Sequence, residues 1–291
     1  MAKPIRRMVV GYDGSEHAQD GLALARALAE LNDVSVVLAA VVQTRGKYAP
    51  IGADQSERAL LDEVESQLEQ AATTFGDKVK VETKAMTGSP ARELHHLAEE
   101  TKADVIVLGP ARLEQTPGQV RPGTVGDALL HGAPSAVAVA ERGLADRDKV
   151  KLSTIGVAVD GSTESPHAIA TAARLAKAAS GELRAITVVE AEPEHADASY
   201  RQFIEREREH GRRLLDDALA AAPKKVRGEA VMLTGSPTEA LEDYAADHLD
   251  LLVLGSRSYG PVGRVMLGGV TSRLSRSTPS SVFLLPRGGI G

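Results

Sequence analysis

Cysteine and tryptophan are absent from the 291 residues. Without a thiol there is no disulfide, no thiolate zinc site and no cysteine nucleophile, and the usage fits a reducing, cytoplasmic setting. Long apolar runs are missing too. The longest charge-free stretches, residues 34–44 and 128–140, fall short of the roughly 18 consecutive apolar residues that a membrane helix needs. The basic excess of a nucleic-acid coat is lacking, because 34 Lys and Arg stand against 40 Asp and Glu, a formal net charge of −6. Three signatures are also absent: the G-x4-G-K-S/T phosphate loop, the G-x-G-x-x-G dinucleotide fingerprint and the G-x-S-x-G elbow. Phosphate-loop NTPase, dehydrogenase and hydrolase readings lose their support with them, and no catalytic residue is nominated. The opening MAKPIRR has positive charge but no signal-peptide apolar core after it, and reads as the lead-in to a strand.

What is present is a globular composition, 43% hydrophobic and 25% charged, at a length that suits two domains of about 150 residues. The sequence repeats itself. Asp13-Gly14-Ser15 returns 147 residues later as Asp160-Gly161-Ser162, and Thr87-Gly88-Ser89-Pro90 returns at the same offset as Thr234-Gly235-Ser236-Pro237. Val107-Leu108-Gly109 matches Val253-Leu254-Gly255 at 146, and Gly123 and Pro134 match Gly268 and Pro279 at 145. A duplication of this size has the length of a whole domain, so we divide the chain into residues 1–143 and 150–291, joined by a short polar linker over 143–149.

Each half alternates strand and helix. Apolar runs predict strands over 7–12, 34–42, 79–85, 104–109 and 135–140, and helical spacing predicts helices over 18–31, 56–75, 90–100 and 123–131. Ser15 is placed to cap the first helix, and Ser89-Pro90 opens the third. The second half runs the same course, with strands near 154–159, 183–189, 227–233, 251–255 and 280–285. Such alternation gives an α/β fold with two tandem doubly wound parallel sheets. Ligands on these sheets sit beyond the carboxyl ends of the strands, where Asp13, Asp160, Gly109 and Gly255 fall.

The segment richest in chemistry is 255–271, a glycine-rich loop between a buried strand and a helix. Glycines admit a phosphate close to the backbone, helix-start amides supply donors, and Arg257 and Arg264 add charge-assisted contacts. Thr234-Gly235-Ser236-Pro237 and its twin read as a turn and helix start. Asp13 and Asp160 read either as turn-shaping residues or as base contacts. His95 and His96 lie on a helix without a third ligand at metal spacing, so no metal site is assigned. The stretch 201–213 reads as an exposed helix laced by pairs such as Glu209 and Arg213, and as a partner surface.

On these motifs, together with the Val-Leu-Gly-Ser-Arg strand exit and the closing Thr-Pro-Ser-Ser-Val-Phe-Leu-Leu-Pro-Arg, the chain resembles the universal stress protein family in its tandem two-domain form. The resemblance covers nearly the whole sequence and implies a Rossmann-like fold of the adenine nucleotide alpha hydrolase-like kind. It also implies ATP as cofactor, accompanied by Mg²⁺, in a stress-response regulatory protein. ATP-binding members carry G-x2-G-x9-G-S/T, whose amides and final hydroxyl hold the phosphates, while the Asp after the first strand contacts adenine.

Laid on the second half, that pattern assigns the base to Asp160 and Val188, and ribose and phosphates to Gly255, Arg257, Ser258, Gly268, Gly269, Val270 and Thr271. Ser258 replaces the second glycine and Gly269 the final Ser or Thr, which leaves Thr271 or Ser272 to supply the hydroxyl. The first half offers Asp13, Val41, Gly109, Arg112, Gly123, Thr124 and Val125. There Pro110 removes a donor and the spacing is one residue too long, so that site reads as degraded. Pairing of the fifth strands within one chain, a dimer of tandem chains and a regulatory protein partner follow from the resemblance. A nucleotide-free interaction scaffold is the alternative, and slow ATP hydrolysis ranks behind both.

Overall fold

The computed structural model describes residues 3–43, 53–111, 123–191, 195, 197–256, 265 and 269–290. The first half runs β1 (Arg7–Gly11), α1 (Glu16–Glu30), β2 (Ser35–Val42), α2 (Ala53–Thr73) and β3 (Lys80–Thr87). It continues with α3 (Pro90–Thr101), β4 (Val105–Leu108), α4 (Thr124–Leu129) and β5 (Ala136–Val139). The second half repeats the course with β6 (Thr154–Ala158), α5 (Ser165–Ala178), β7 (Glu182–Val189), α6 (Ala198–Ala221) and β8 (Arg227–Thr234). It closes with α7 (Pro237–His248), β9 (Leu251–Leu254), α8 (Gly269–Ser277) and β10 (Ser281–Leu284).

Among the described residues the strands form one ten-stranded sheet of order β3-β2-β1-β4-β5-β10-β9-β6-β7-β8. Pairing is parallel within each half. The seam between halves is antiparallel, with Val139 opposite Val282, Ala138 opposite Phe283 and Val137 opposite Leu284. The two parallel sheets expected from the sequence are therefore halves of one continuous sheet, joined by their fifth strands. Every residue of β4, β5, β9 and β10 is buried, as near-continuous apolar runs covered on both faces require. One core packs α1, α2, α5 and α6 against one face, and a second core packs α3, α4, α7 and α8 against the other.

Local chemistry sets the entries to these helices. Ser15 caps α1 by accepting the Ala18 N–H at 3.3 Å, and Ser89 and Ser236 precede Pro90 and Pro237 at the starts of α3 and α7. Gly21 stands in the middle of α1 because the exit of β4 passes directly against it. A Cβ there would lie 2.6 Å from the Gly109 nitrogen, and one on Gly109 would overlap the His17 carbonyl oxygen.

The stretch expected as a polar linker is tied down. Leu144 is 1% exposed, Leu144–Asp146 forms a single 3-10 turn, and the Asp20 carboxylate accepts the N–H groups of Gly143 and Ala145 at 3.1 and 2.8 Å. The end of the second half repeats the device, with Glu164 accepting the Gly288 N–H at 2.8 Å. Both turns pass through the left-handed region, φ 79° at Gly143 and 84° at Gly288, which glycine occupies without steric cost.

Candidate functional site

Strand order in the second half reverses at β6, which lies between β9 and β7. A cleft of about 510 Å³ opens there, beyond the carboxyl ends of these strands, a size within the roughly 300–1,000 Å³ usual for small-molecule sites. Val159 and Asp160 after β6, Val188 of β7, and Leu254 and Gly255 at the exit of β9 line it from the sheet. Glu207, His210, Gly211 and Leu214 of α6 form one wall, and Pro237 and Leu241 of α7 with Gly269, Val270 and Thr271 of α8 form another.

Asp160 opens a tight turn. Its Oδ1 accepts the Ser162 N–H and the Ser165 hydroxyl, both at 2.9 Å. Burial works against its charge, but hydrogen bonds from Ser162 and Ser165 outweigh that and hold the carboxyl below the usual range. Asp13 makes the matching turn, its Oδ1 accepting the Ser15 N–H at 3.1 Å and the Ser15 hydroxyl at 2.5 Å. The turn-shaping role of both aspartates is thus observed.

The start of α8 also lines the cleft, next to the exit of β9. The first N–H groups of a helix have no intrahelical acceptors and favour an anion. Beside them the Ser256 hydroxyl, in a residue 8% exposed, has no hydrogen-bond partner among the described residues. Thr271, one of two residues considered for the missing phosphate-directed hydroxyl, instead donates its proton to the Gly255 carbonyl at 3.4 Å.

The cleft therefore brings together six of the second-half residues nominated from sequence: Asp160, Val188, Gly255, Gly269, Val270 and Thr271. Arg257, Ser258, Gly268 and, in the first half, Arg112 lie outside the described residues. Asp13, Val41 and Gly109 gather at the carboxyl ends of β1, β2 and β4, and Gly123, Thr124 and Val125 open α4. Geometry differs between the halves at these equivalent points. Gly109 is clamped against the α1 backbone, whereas a Cβ on Gly255 would make an ordinary 3.5 Å contact with Glu164 Cβ. In the first half the Gln67 side chain of α2 also leans on the Asp13 turn, with its Oε1 2.8 Å from where a Cβ on Gly14 would sit.

Sequence reasoning missed Ser256 and the wall from α6. That helix is more than an exposed charged rod, because Ile204, Gly211, Leu215 and Ala218 are buried against the sheet. Its ion pairs converge on Glu205, from Arg208 at 3.6 Å and Arg212 at 3.3 Å, rather than joining Glu209 to Arg213. The signal was available as spacing: positions 207, 210, 211 and 214 fall on one helical face. Among the described residues no group of three or more His, Asp or Glu side chains is arranged to hold a metal. His95 faces Glu99 of its own helix at 3.4 Å.

Comparison with known proteins agrees with this architecture. A family model described as "Universal stress protein family" matches residues 4–141 and again 151–286. The "Universal stress protein in QAH/OAS sulfhydrylase 3'region" of Thermus aquaticus is 29% identical over 134 residues, 45% of this chain and 97% of that protein. "Universal stress protein YxiE" of Bacillus subtilis (strain 168) is 28% identical over 144 residues, 44% of this chain and 95% of that one. A crystal structure of a universal stress protein from Archaeoglobus fulgidus DSM 4304 superposes with a TM-score of 0.65 at 22% identity, covering 97% of this chain and 98% of its own, a likeness of fold. Among the described residues no helix is long and apolar enough to cross a membrane.

Proposed function

The chain belongs to the universal stress protein family as a tandem of two of its domains, and from that premise we propose that it is an adenine-nucleotide-binding regulatory protein of the stress response, holding ATP in the cleft of its second domain. The observation that carries the reading is the cleft itself. It joins an apolar floor, the fixed Asp160 carboxylate and the start of α8, where the buried Ser256 hydroxyl lacks a partner among the described residues. A buried hydroxyl left unpaired costs about 1–3 kcal/mol, and a phosphate oxygen would satisfy it. Asp160 and the backbone at Val188 would hold the base, and Gly255, Ser256, Gly269, Val270 and Thr271 the ribose and phosphates. Mg²⁺ arriving with ATP would be held chiefly by phosphate oxygens and water.

The test is to denature freshly purified protein, quantify released nucleotide by chromatography with mass detection, and titrate ATP with Mg²⁺ by calorimetry. About one ATP per chain, with affinity reduced by Asp160→Ala, is the expected result. About two per chain would give the first half a site as well. No released nucleotide and no heat on titration would overturn the reading in favour of a nucleotide-free scaffold. That alternative is favoured by the hydroxyl of Thr271, which is spent on Gly255. A cytoplasmic setting, a regulatory protein partner and a dimer of tandem chains belong to the same proposal. Sedimentation as a single chain at micromolar concentration would remove the dimer.

A further inference from the structure

We propose that Glu207 and His210 of α6 read the base of the bound nucleotide, with the Glu207 carboxylate accepting a hydrogen bond from the exocyclic amine of adenine. This inference rests on nucleotide binding in the second-half cleft and names what makes that site selective. Neither residue belongs to the glycine-loop pattern or to the strand ends.

Glu207, His210 and Leu214 recur on the face of α6 that lines the cleft, while Ile204, Leu215 and Ala218 root the helix in the core. His210 Nε2 lies 3.5 Å, and the Leu214 methyl carbons 3.3 Å, from where a Cβ on Gly161 would sit. The helix therefore leans over the Asp160-Gly161-Ser162 turn.

The hydrogen-bonding capacity of this face is unspent. Asp160 Oδ1 is committed to Ser162 and Ser165, and on the outer face of α6 Glu205 is committed to Arg208 and Arg212. Among the described residues Glu207 and His210, both lining the cleft, have no hydrogen-bond or ion-pair partner. A carboxylate accepts and does not donate, so it favours a base edge that carries an amine and disfavours one that carries a carbonyl. The flat His210 ring beside the apolar floor of Val159, Ile186 and Val188 adds a stacking surface without reading the edge.

The equivalent stripe of the first half reads Leu60, Glu63, Val64 and Gln67. Leu60 stands at the Glu207 position and carries no acceptor, so base reading of this kind belongs to the second half.

The test uses the full chain and two ligands that differ at one base position, ATP and purine riboside triphosphate, which has a hydrogen in place of the amine and keeps N1 unprotonated. Calorimetric titration should give about tenfold tighter binding of ATP by the unchanged protein, the size of one charge-assisted hydrogen bond. Glu207→Ala should abolish that preference by weakening ATP alone, and Glu207→Gln, which keeps an acceptor, should retain part of it. His210→Ala should weaken both ligands alike, by a few fold. A wild-type ratio in Glu207→Ala, or equal loss of both ligands in that variant, would overturn the assignment, as would wild-type protein that binds ATP without preference. Wild-type protein that binds neither ligand would instead overturn nucleotide binding itself. Glu207 is exposed, so its variants fold as the parent does, which circular dichroism checks.

Discussion

Arg147 and Glu141 meet at 2.9 Å where the two halves join, with 48% of the arginine side chain exposed but only 3% of the glutamate. Glu141 follows β5, and its N–H donates to the Ser281 hydroxyl of β10 at 3.2 Å. Burial pushes its carboxyl up to about 7. Arg147 opposes that rise, and the charges of Asp250 and Asp20 reinforce it. A carboxyl whose pKa is raised on folding adds stability that is complete below its unfolded value near 4.5 and is lost as pH climbs through about 7. The chain should therefore be less stable at pH 8 than at pH 5 by an amount on the order of 3 kcal/mol at most. Urea midpoints of the wild type and Glu141→Gln across that range check this, and the variant should show a distinctly flatter profile.

Gly109 and Gly255 occupy equivalent strand exits but differ in clearance. Gly109→Ala should destabilise by about 1–3 kcal/mol or more, since its methyl would overlap the His17 carbonyl oxygen, whereas Gly255→Ala should cost less than about 1 kcal/mol. Denaturant unfolding of the two variants gives the comparison, and equal losses would contradict it.

Asp20 holds the segment after β5 through two backbone N–H groups. Asp20→Ala leaves both donors without that acceptor and should cost about 2–3 kcal/mol. The same variant should expose residues 142–149 to proteolysis, read as faster cleavage there under native conditions.

Ser256→Ala separates ligand binding from stability. Removing a buried hydroxyl that has no partner among the described residues should leave the denaturation midpoint unchanged or slightly raised. Loss of a hydrogen bond to phosphate should weaken ATP by about tenfold. A variant with full affinity would take Ser256 out of the site.

Much of this architecture was written locally. The β2 run expected over 34–42 is Ser35–Val42, and α3 opens at Pro90, whose fixed φ suits the first helical position. α2 runs over Ala53–Thr73, three residues earlier at its start and two at its end than the helix expected over 56–75. The parts that periodicity could not reveal depend on partners distant in the chain. Residues 143–149 looked like a linker because the anchor for Gly143 and Ala145 is Asp20, over a hundred residues earlier. Asp160 and Gly255 were nominated from the duplicated strand ends and Gly269 from the glycine-loop pattern, and all three line the cleft. The α6 wall was hidden by charges that suit a solvated face equally well, and Ser256 by being an ordinary serine until its burial is known.

The antiparallel pairing of β5 with β10 relates the halves by an approximate two-fold axis inside one polypeptide. In a dimer of identical chains such symmetry would copy every substitution into both clefts. Here each position is encoded once, so Gln67 facing one turn and Leu214 the other, or Pro110 against Ser256, alters a single pole. The same reversal of direction points the two sets of carboxyl ends toward opposite edges of the sheet. Covalent linkage thereby makes the molecule a fixed heterodimer of itself, with a constant one-to-one ratio between its unlike ends and no dependence on concentration to keep them together.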